Sequence, residues 1–433
     1  MDMLTEEQQI LLDNVRKVVK QKIAPAAAEL DRRGEFSWET SSLFWDLGLF
    51  QIMMPEEYGG WPFHPCHTLC LCIEEIAKGC ASSALMLIIQ AVGSFPLIHA
   101  GNEFQKRKYF PLLSKQRQLI AYLVTEPGAG SDVAAITAKA QKRGQHYILT
   151  GQKVFATNGG VAGLYSVLAR TGESALSFFI VERPWKGVTI GKHEDKCGFR
   201  GSDTSEVLLE DVEVPEENLV GKEGDGFLIA MADFDMSRPA VAALSLGIAE
   251  GALDFATEYA GHRHTFGKRL IGHQPIQFML ADASTLIEAG RGLMEKAALN
   301  FDAKQRNTTL ASMAKCFCSD AAMKITTDMV QVLGGYGYIK DFPVERMFRD
   351  AKLTQIFEGA NQIQRMIIGR EILKRGVCAI DRLLKNDHLR RCPHPSSLRR
   401  TGRYVSFLGI SGALYLAVFE QPASRIFQHP VRY

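Results

Sequence analysis

The sequence has almost no net charge and lacks the short motifs that identify many enzymes. It contains 50 Lys and Arg against 48 Asp and Glu in 433 residues, so charge gives no reason to expect binding to nucleic acid or to an acidic surface. No H-E-x-x-H metal motif, Walker-type lysine loop or G-x-S-x-G elbow occurs. No G-x-G-x-x-G follows a predicted strand, which argues against a dinucleotide-binding βαβ unit.

Disulfide and targeting signals are also missing. The nine cysteines show no evenly spaced framework, and the start of the chain is acidic, with neither an apolar run nor an excess of arginine. We therefore expect a reducing compartment, the cytoplasm of a bacterium or the mitochondrial matrix of a eukaryote. A cluster of cysteine and histidine from His64 to Cys80 matches no zinc spacing. Buried cysteines are the favoured interpretation, and no metal is predicted.

The first quarter of the chain has helical periodicity. Apolar residues form one stripe from Leu4 to about Arg33, a segment that Pro25 is expected to kink or divide. Helical patterns continue to about Leu113. We predict an N-terminal α-helical domain over residues 1–116.

Short β-rich runs follow, separated by Gly, Asp, Ser and Pro. No helical pattern of 10–15 residues lies between them, which favours a small antiparallel sheet, barrel or sandwich over a βαβ array. The predicted central β domain covers residues 117–224. Its predicted strands are Leu119–Thr125, Tyr147–Lys153, Leu164–Arg170, Leu176–Glu182 and Glu206–Val214.

Helical periodicity returns after Gly226 in long patterns, one of which stops at Gly334. These patterns predict a four-helix bundle over residues 225–375, so the fold class is α+β. The basic remainder, 376–433, is interpreted as an appended or poorly ordered tail. Its uncharged run Tyr404–Phe419 is shorter than the roughly 20 residues of a membrane-spanning helix, so stable membrane insertion is not expected.

The stretch Q-I-F-E-G-A-N-Q-I-Q-R, from Gln355 to Arg365, is the candidate centre of the chemistry. Ile356 and Phe357 precede Glu358, and apolar neighbours desolvate a carboxylate and raise its pKa toward a value useful in a base. Gly359 allows a sharp turn beside the acid. The alternative interpretation is an acidic first turn at a helix N-terminus.

Two further stretches have the composition of ligand-binding loops. The segment T-E-P-G-A-G-S-D, from Thr125 to Asp132, contains small residues that would let the backbone approach a flat or anionic ligand. For an isolated G-x-G, however, an ordinary β-turn is the favoured interpretation. Arg238 before a long helix would suit a phosphate or carboxylate. An ion pair with Asp235 is the alternative.

Taken in order, these motifs resemble those of the acyl-CoA dehydrogenase family, from about Leu4 to Arg375. The resemblance implies FAD as cofactor, a homotetramer, an acyl-CoA substrate and an electron-transfer flavoprotein as electron acceptor. It further implies a set of residues around the flavin: Tyr122, Val124, Thr125, Gly130, Ser131, Phe155, Thr157 and Gln362. Those implied at the adenine or pyrophosphate end, reaching from a neighbouring subunit, are Arg263, Phe266, Gln274, Gln331 and Gly335.

The same resemblance gives Glu358 the role of the base that removes the α-proton while the β-hydride goes to flavin N5, forming a trans-2-enoyl-CoA. Some branches of the family place the base at the position of Ser237, but serine cannot serve. The residues implied around the substrate are Ser131, Asp235, Arg238, Phe357 and Gly359. Three residues depart from the usual family pattern: Phe155 replaces Trp, Phe357 replaces Tyr, and Ala360 replaces Thr.

The helix expected to face the acyl group, Ala84–Ser94, has no Arg or Lys, which favours an apolar acyl group over one with a distal carboxylate. Two alternatives stay open. An acyl-CoA oxidase would use the same base with oxygen as acceptor, and a DNA-associated flavoprotein of this fold would use the arginines of the tail. Since a basic run is usually a solvated tail, we do not expect nucleic-acid binding.

Overall fold

A computed structural model of the protein describes residues 4–385, with side chains to residue 374. Its contacts define one compact unit that ends at Ile368 and a second that begins at Gly369. The helix–strand–helix layout predicted from the sequence is confirmed. The tail from residue 386 onward, including the run Tyr404–Phe419, lies outside the described residues.

The N-terminal part is helical because its apolar stripes are bounded by good capping residues. Thr5 begins the first helix by accepting a hydrogen bond from the Gln8 backbone N–H, and the Gln8 side chain accepts one in return. A π-helical turn, Val19–Ile23, precedes Pro25, whose ring cannot fit a regular helix interior; the predicted division there is confirmed. The helices are α1 Glu6–Val18, α2 Ala24–Arg33, α3 Trp38–Asp46, α4 Pro65–Gly79, α5 Ala81–Ala100 and α6 Glu103–Ser114.

Helix α5 is almost wholly buried and lies against the first strand of the central sheet, β1 (Ile120–Leu123). The Gln90 side chain accepts a hydrogen bond from the Ile120 N–H at 3.1 Å and donates one to the Gln118 carbonyl at 3.2 Å. A Cβ atom on Gly93 would lie 2.9 Å from the Ile120 side chain, so glycine permits this close approach. Helix α5 is therefore held directly against β1, with Gly93 at the point of close approach.

The cysteines of α4 are buried, as the sequence analysis expected for Cys66, Cys70 and Cys72. Within residues 4–385, no group of three or more His, Cys, Asp or Glu is placed to hold a metal ion.

The central sheet is mixed, whereas the sequence predicted an antiparallel one. Its order is β6-β7-β3-β2-β4-β5-β8, and β1 pairs with β4. The pairs β1–β4 and β2–β4 are parallel, and β2 pairs with β3 in an antiparallel hairpin. The remaining strands are β2 Lys139–Arg143, β3 His146–Thr157, β4 Leu164–Arg170, β5 Leu176–Glu182, β6 Val188–His193, β7 Thr204–Pro215 and β8 Leu219–Val220.

The C-terminal helices follow the predicted apolar patterns. Helices α7, α8 and α9 pack against one another, and α4 and α5 pack against α7. Residues 376–385, which the sequence assigned to the tail, continue the last helix. The elements are α7 Gly226–His262, β9 His264–Thr265, β10 Lys268–Arg269, α8 Gln274–Asp302, α9 Thr308–Leu333, α10 Val344–Thr354 and α11 Asn361–Lys385.

Two helices, Ala81–Ala100 and Gly226–His262, are long and apolar enough to cross a membrane by length and composition alone. Their most apolar windows are 94% and 72% buried inside the protein. Burial against other elements accounts for their composition.

A buried ion pair joins the loop after β1 to β3. Lys153 Nζ lies 2.8 Å from Glu126 Oε1, and both side chains are buried. Lys153 also donates to the Val124 carbonyl at 3.0 Å, and Glu126 accepts backbone hydrogen bonds from Thr137 and Ala138. Burial raises the pKa of Glu126, but the Lys153 charge and these donors outweigh it and lower the pKa overall. The pair thus fixes the glycine-rich loop on the sheet.

We predict that Lys153→Met lowers the free energy of unfolding by about 3–5 kcal/mol, because it leaves the Glu126 carboxylate buried and unpaired. The matched control is Lys142→Met, which removes a lysine of the same sheet whose pair with Glu216 is about half exposed; its cost should stay below about 1 kcal/mol. Urea denaturation of both variants measures the difference. Equal losses would show that the buried pair does not hold this loop.

Candidate active site

Glu358 lies in a strained turn between α10 and α11. Its φ angle is +52° and that of Gly359 is +85°, and the left-handed region is costly for a residue with a side chain. A Cβ atom on Gly359 would lie 2.7 Å from Gln364 Nε2, so the second position of the turn requires glycine. Since non-glycine residues persist in this region only when their surroundings fix them, the turn must be held from outside.

The side chains of Lys315 and Gln364 hold the Glu358–Gly359 turn by hydrogen bonds. Lys315 Nζ, on α9, donates to the Gly359 carbonyl at 2.9 Å and to Asn361 Oδ1 at 2.8 Å. Gln364 Nε2 donates to the carbonyls of Glu358 and Gly359 at 3.1 and 2.8 Å. Both side chains are fully buried. Burial lowers the pKa of Lys315 to about 8, against the opposing effect of the Glu358 charge, so near neutrality a cation lies behind the turn.

The Glu358 carboxyl meets the side of α7 that carries Ser237. Ser237 Oγ donates to Glu358 Oε2 at 2.8 Å. Burial raises the pKa of Glu358, and the Ser237 hydrogen bond and the charges of Arg238 and Lys315 hold that rise back. Because Glu358 itself is only partly covered, it is desolvated but accessible. This is the environment that the sequence analysis expected for a base.

Arg238 forms the ion pair with Asp235 that the sequence left as the alternative to a ligand. The two side chains are 3.5 Å apart, and Arg238 is 4% exposed. Neither is fully satisfied: Arg238 Nε and Asp235 Oδ1 are buried without a hydrogen-bond partner. Thr308 Oγ1 donates to the other Asp235 oxygen at 2.7 Å. Because these two atoms have no partner, the Arg238–Asp235 pair retains a donor and an acceptor for a polar ligand.

The predicted flavin loop and Phe155 lie next to each other. The Val154 N–H donates to the Thr125 carbonyl at 2.9 Å. No atom lies within 4 Å of a Cβ built on Gly128 or Gly130, so space is open along the loop. Phe155 has a φ angle of +55° and is 65% exposed. An apolar ring held in a strained conformation beside open backbone fits a flat aromatic ligand.

The other predicted flavin residues around this loop differ in exposure. Tyr122 is partly buried on β1, Val124 is buried, and Ser131 is exposed. Thr157 is half-buried at the end of β3. Gln362 is exposed on the first turn of α11.

The residues predicted at the adenine or pyrophosphate end of FAD form a second group. They lie at or just after the end of α7, the start of α8 and the end of α9. Arg263 lies over the Tyr336 ring at 5.7 Å, and the Phe266 ring lies 6.2 Å from that of His273. Phe266 is 96% exposed. The remaining members, also exposed, are Gln274 at the start of α8, Gln331 at the end of α9 and Gly335 just after it. The contacts described for this group are with neighbouring residues, Tyr336 and His273, and do not include Glu358.

Phe357, predicted at the substrate, packs with Phe199, with ring centroids 6.2 Å apart. The structure therefore brings Glu358, Gly359, Phe357, Arg238 and Asp235 to one end of α7 and the loop before α11.

Sequence reasoning missed the residues that support the base. Ser237 was considered only as a substitute base, whereas it donates a hydrogen bond to Glu358. Lys315 was passed over within the α9 pattern, although a lysine on an otherwise buried face is a detectable signal. Asp233, one turn before Ser237, is a fully buried carboxyl that sequence gave no reason to single out.

Comparison with known protein families gives matches over most of the described chain. The models of the N-terminal, middle and C-terminal domains of acyl-CoA dehydrogenases match residues 5–117, 121–212 and 224–373.

Individual relatives match over most of their own length. Cyclohexane-1-carbonyl-CoA dehydrogenase of Geobacter metallireducens is 56% identical over 373 residues, 86% of this chain and 98% of that protein. Cyclohex-1-ene-1-carbonyl-CoA dehydrogenase of Syntrophus aciditrophicus is 46% identical over 379 residues, covering 86% and 91%. The structure of butyryl-CoA dehydrogenase from Megasphaera elsdenii matches with a TM-score of 0.84 and 41% identity, covering 86% and 100%.

We predict that Ser237→Ala raises the pKa of Glu358, because it removes a donor that stabilises the ionised carboxylate. Ser237→Thr keeps a hydroxyl and should move the pKa less. Infrared titration of the carboxyl band, with Glu358→Gln as the subtracted reference, measures both. An unchanged or lowered pKa in Ser237→Ala would contradict the hydrogen bond described here.

Proposed function

Because the chain belongs to the acyl-CoA dehydrogenase family, FAD-dependent oxidoreductases acting on the CH–CH group of acyl-CoA thioesters, we propose that Glu358 is its base and that its substrate carries an apolar, alicyclic acyl group. The observation that carries this proposal is the Glu358 turn. An accessible but desolvated carboxylate is held there by Ser237, Lys315 and Gln364.

The chemistry assigned to the chain's own residues is proton removal. Glu358 takes the α-proton of the thioester and becomes a neutral acid, while a double bond forms between the α and β carbons. Its raised pKa makes it a better proton acceptor than an ordinary carboxylate. Arg238, with unpaired Nε, is assigned to the CoA portion together with Asp235.

FAD bound along the Thr125–Ser131 loop and Phe155 would supply the acceptor for the β-hydride. The open space at Gly128 and Gly130 and the exposed Phe155 ring fit a flat ring system. Thr157 and Gln362 are assigned to the same group. For a straight acyl chain the product is a trans-2-enoyl-CoA, and for a saturated ring it is the ring 1-ene.

Acyl selectivity is assigned to α5 and to Glu358. Residues 84–94 of α5 are buried and contain no Arg or Lys, so a distal carboxylate would meet no positive partner there. The Glu358 carboxylate, proposed as the base, would repel it. The similarity to a cyclohexane-1-carbonyl-CoA dehydrogenase, at 56% identity, supports a saturated ring as the acyl group.

We propose that the second group of residues lies at a contact between protomers. Its members are Arg263, Phe266, Gln274, Gln331 and Gly335. An almost fully exposed Phe266 beside the exposed Arg263 and Gln274 suits a surface covered by another protomer and its FAD, as in a homotetramer. An electron-transfer flavoprotein is the proposed electron acceptor. Peroxide release during turnover would instead mark an oxidase. The arginines behind the DNA-associated alternative lie outside the described residues.

We predict that Glu358→Gln retains FAD and binds an acyl-CoA but loses flavin bleaching by about 10²- to 10⁴-fold, the usual contribution of a general base. Glu258→Gln, an exposed change on α7, is the matched control and should bleach normally. Anaerobic stopped-flow absorbance measures both. Normal bleaching in Glu358→Gln would assign the base elsewhere.

Among acyl-CoA substrates, we expect cyclohexane-1-carbonyl-CoA to exceed glutaryl-CoA in kcat/KM by at least about 10²-fold, since an uncompensated buried charge costs several kcal/mol. Butyryl-CoA tests the apolar preference separately from the ring. Preferred turnover of glutaryl-CoA would refute the apolar assignment.

A further inference from the structure

The proposed base lies in a loop whose two ends meet at one acid of α9. The loop runs from Gln355, which follows α10, to Asn361, which begins α11, and the Asn361 N–H donates to the Gln355 carbonyl at 3.0 Å. Asp320 Oδ1 accepts a hydrogen bond from each end, from Gln355 Nε2 at 2.6 Å and from Asn361 Nδ2 at 2.7 Å. One carboxylate oxygen therefore joins both ends of the segment that carries Glu358.

The other Asp320 oxygen extends this contact along α11. Asp320 Oδ2 accepts a hydrogen bond from Arg365, one turn beyond Asn361. The Arg365 side chain is 57% exposed and that of Asp320 is 36% exposed, and an ion pair so open to water contributes little. Gln355 is half-buried and Asn361 is buried, and hydrogen bonds to an ionised acceptor are stronger than neutral ones. The two Oδ1 bonds are therefore the ones that hold the loop.

The strain at the tip of the loop explains why its ends need a contact from outside. Glu358 and Gly359 both have left-handed backbones, with φ angles of +52° and +85°, and a strained residue persists only where its surroundings fix it. The Asn361 amide joins the two sets of contacts, since its Oδ1 accepts from Lys315 at 2.8 Å and its Nδ2 donates to Asp320. Lys315 in turn donates to the Gly359 carbonyl. A continuous network thus runs from Asp320 to the residue beside the base.

We propose that Asp320 is a positioning residue for the base: by joining the two ends of the 355–361 loop, it sets where the Glu358 carboxylate meets the α-carbon of the substrate. This inference rests on the function proposed for Glu358. The contacts of Asp320 are with the loop ends, Arg365 and Cys316, so it acts through the loop. Displacing a reacting group by about 1 Å can lower a rate by about 10²-fold.

The test separates the rate of the chemical step from substrate binding. Asp320→Ala removes both oxygens, whereas Asp320→Asn keeps an acceptor for Gln355 and Asn361. In anaerobic stopped-flow measurements on FAD-loaded protein with cyclohexane-1-carbonyl-CoA, we expect Asp320→Ala to lower the rate constant of flavin reduction about 10- to 10²-fold, with the substrate dissociation constant within about twofold of the parent. Asp320→Asn should retain most of the rate.

The matched control is Asp328→Ala. Asp328 is another partly buried acid of α9, and it pairs with Lys324 of the same helix, so its loss should change neither constant. A structural role for Asp320 would lower stability and the share of protein that holds FAD, but it would leave the rate constant per bound flavin unchanged.

Hydrogen exchange gives a readout that depends on neither turnover nor FAD. The Asn361 amide is protected by the bond that closes the loop, and local opening exposes such an amide without unfolding the whole chain. We expect residues 355–365 to exchange about tenfold faster or more in Asp320→Ala than in the parent, while Asp328→Ala exchanges like the parent there. Equal exchange in the parent and Asp320→Ala would overturn the proposal.

The outcomes separate this inference from the proposed function. If Glu358→Gln reduces flavin at the parent rate, the proposed function fails, whatever Asp320→Ala does. If Glu358→Gln is inactive but Asp320→Ala keeps the parent rate constant, weakens only acyl-CoA binding or loses no more than Asp328→Ala, the positioning role alone is overturned. Should Asp320→Ala not fold, Gln355→Met decides, because it removes one of the two donors to Oδ1 and should slow flavin reduction without weakening binding.

Discussion

Two backbone carbonyls, those of Glu358 and Gly359, fix the position of the candidate base. A left-handed glutamate does not hold itself in place, and here the buried ammonium of Lys315 and the buried amide of Gln364 bind the turn. The arrangement couples position to electrostatics. Burial raises the pKa of Glu358, and the charge of Lys315, the lysine that binds the turn, opposes part of that rise.

The rest of the fold serves to bring distant segments to this turn. Helix α7 supplies Ser237 and Arg238, while α9 supplies Lys315. The close approach of α5 to β1 at Gly93 places an apolar helix beside the strand that carries Tyr122. The buried pair Lys153–Glu126 fixes the following loop on the sheet. Each contact joins parts of the chain that are far apart in sequence.

The features that the sequence predicted correctly are those that depend on local patterns of residues. Apolar periodicity predicted α7, α8 and α9, and the E-G pair with apolar neighbours singled out Glu358. Strands β2 and β6 were missed because they lack an apolar run: most β2 side chains are exposed, and no β6 residue is fully buried. The parallel pairing of β1 with β4 joins strands that are not consecutive in the chain, and turn residues alone do not reveal it. The burial of Lys315 and Asp233 could not be predicted from the sequence, because it depends on packing between segments that are far apart in the chain.

The central claim is that the Glu358 carboxyl faces the α-carbon of a bound acyl thioester. A crystal structure of FAD-loaded Glu358→Gln with cyclohexane-1-carbonyl-CoA tests it most directly, because the variant traps the substrate with a side chain of the same shape. The account predicts that the Gln side-chain head group lies about 3–3.5 Å from the α-carbon. A side chain turned away from the substrate, with Asp233 or another carboxyl at that distance, would contradict it.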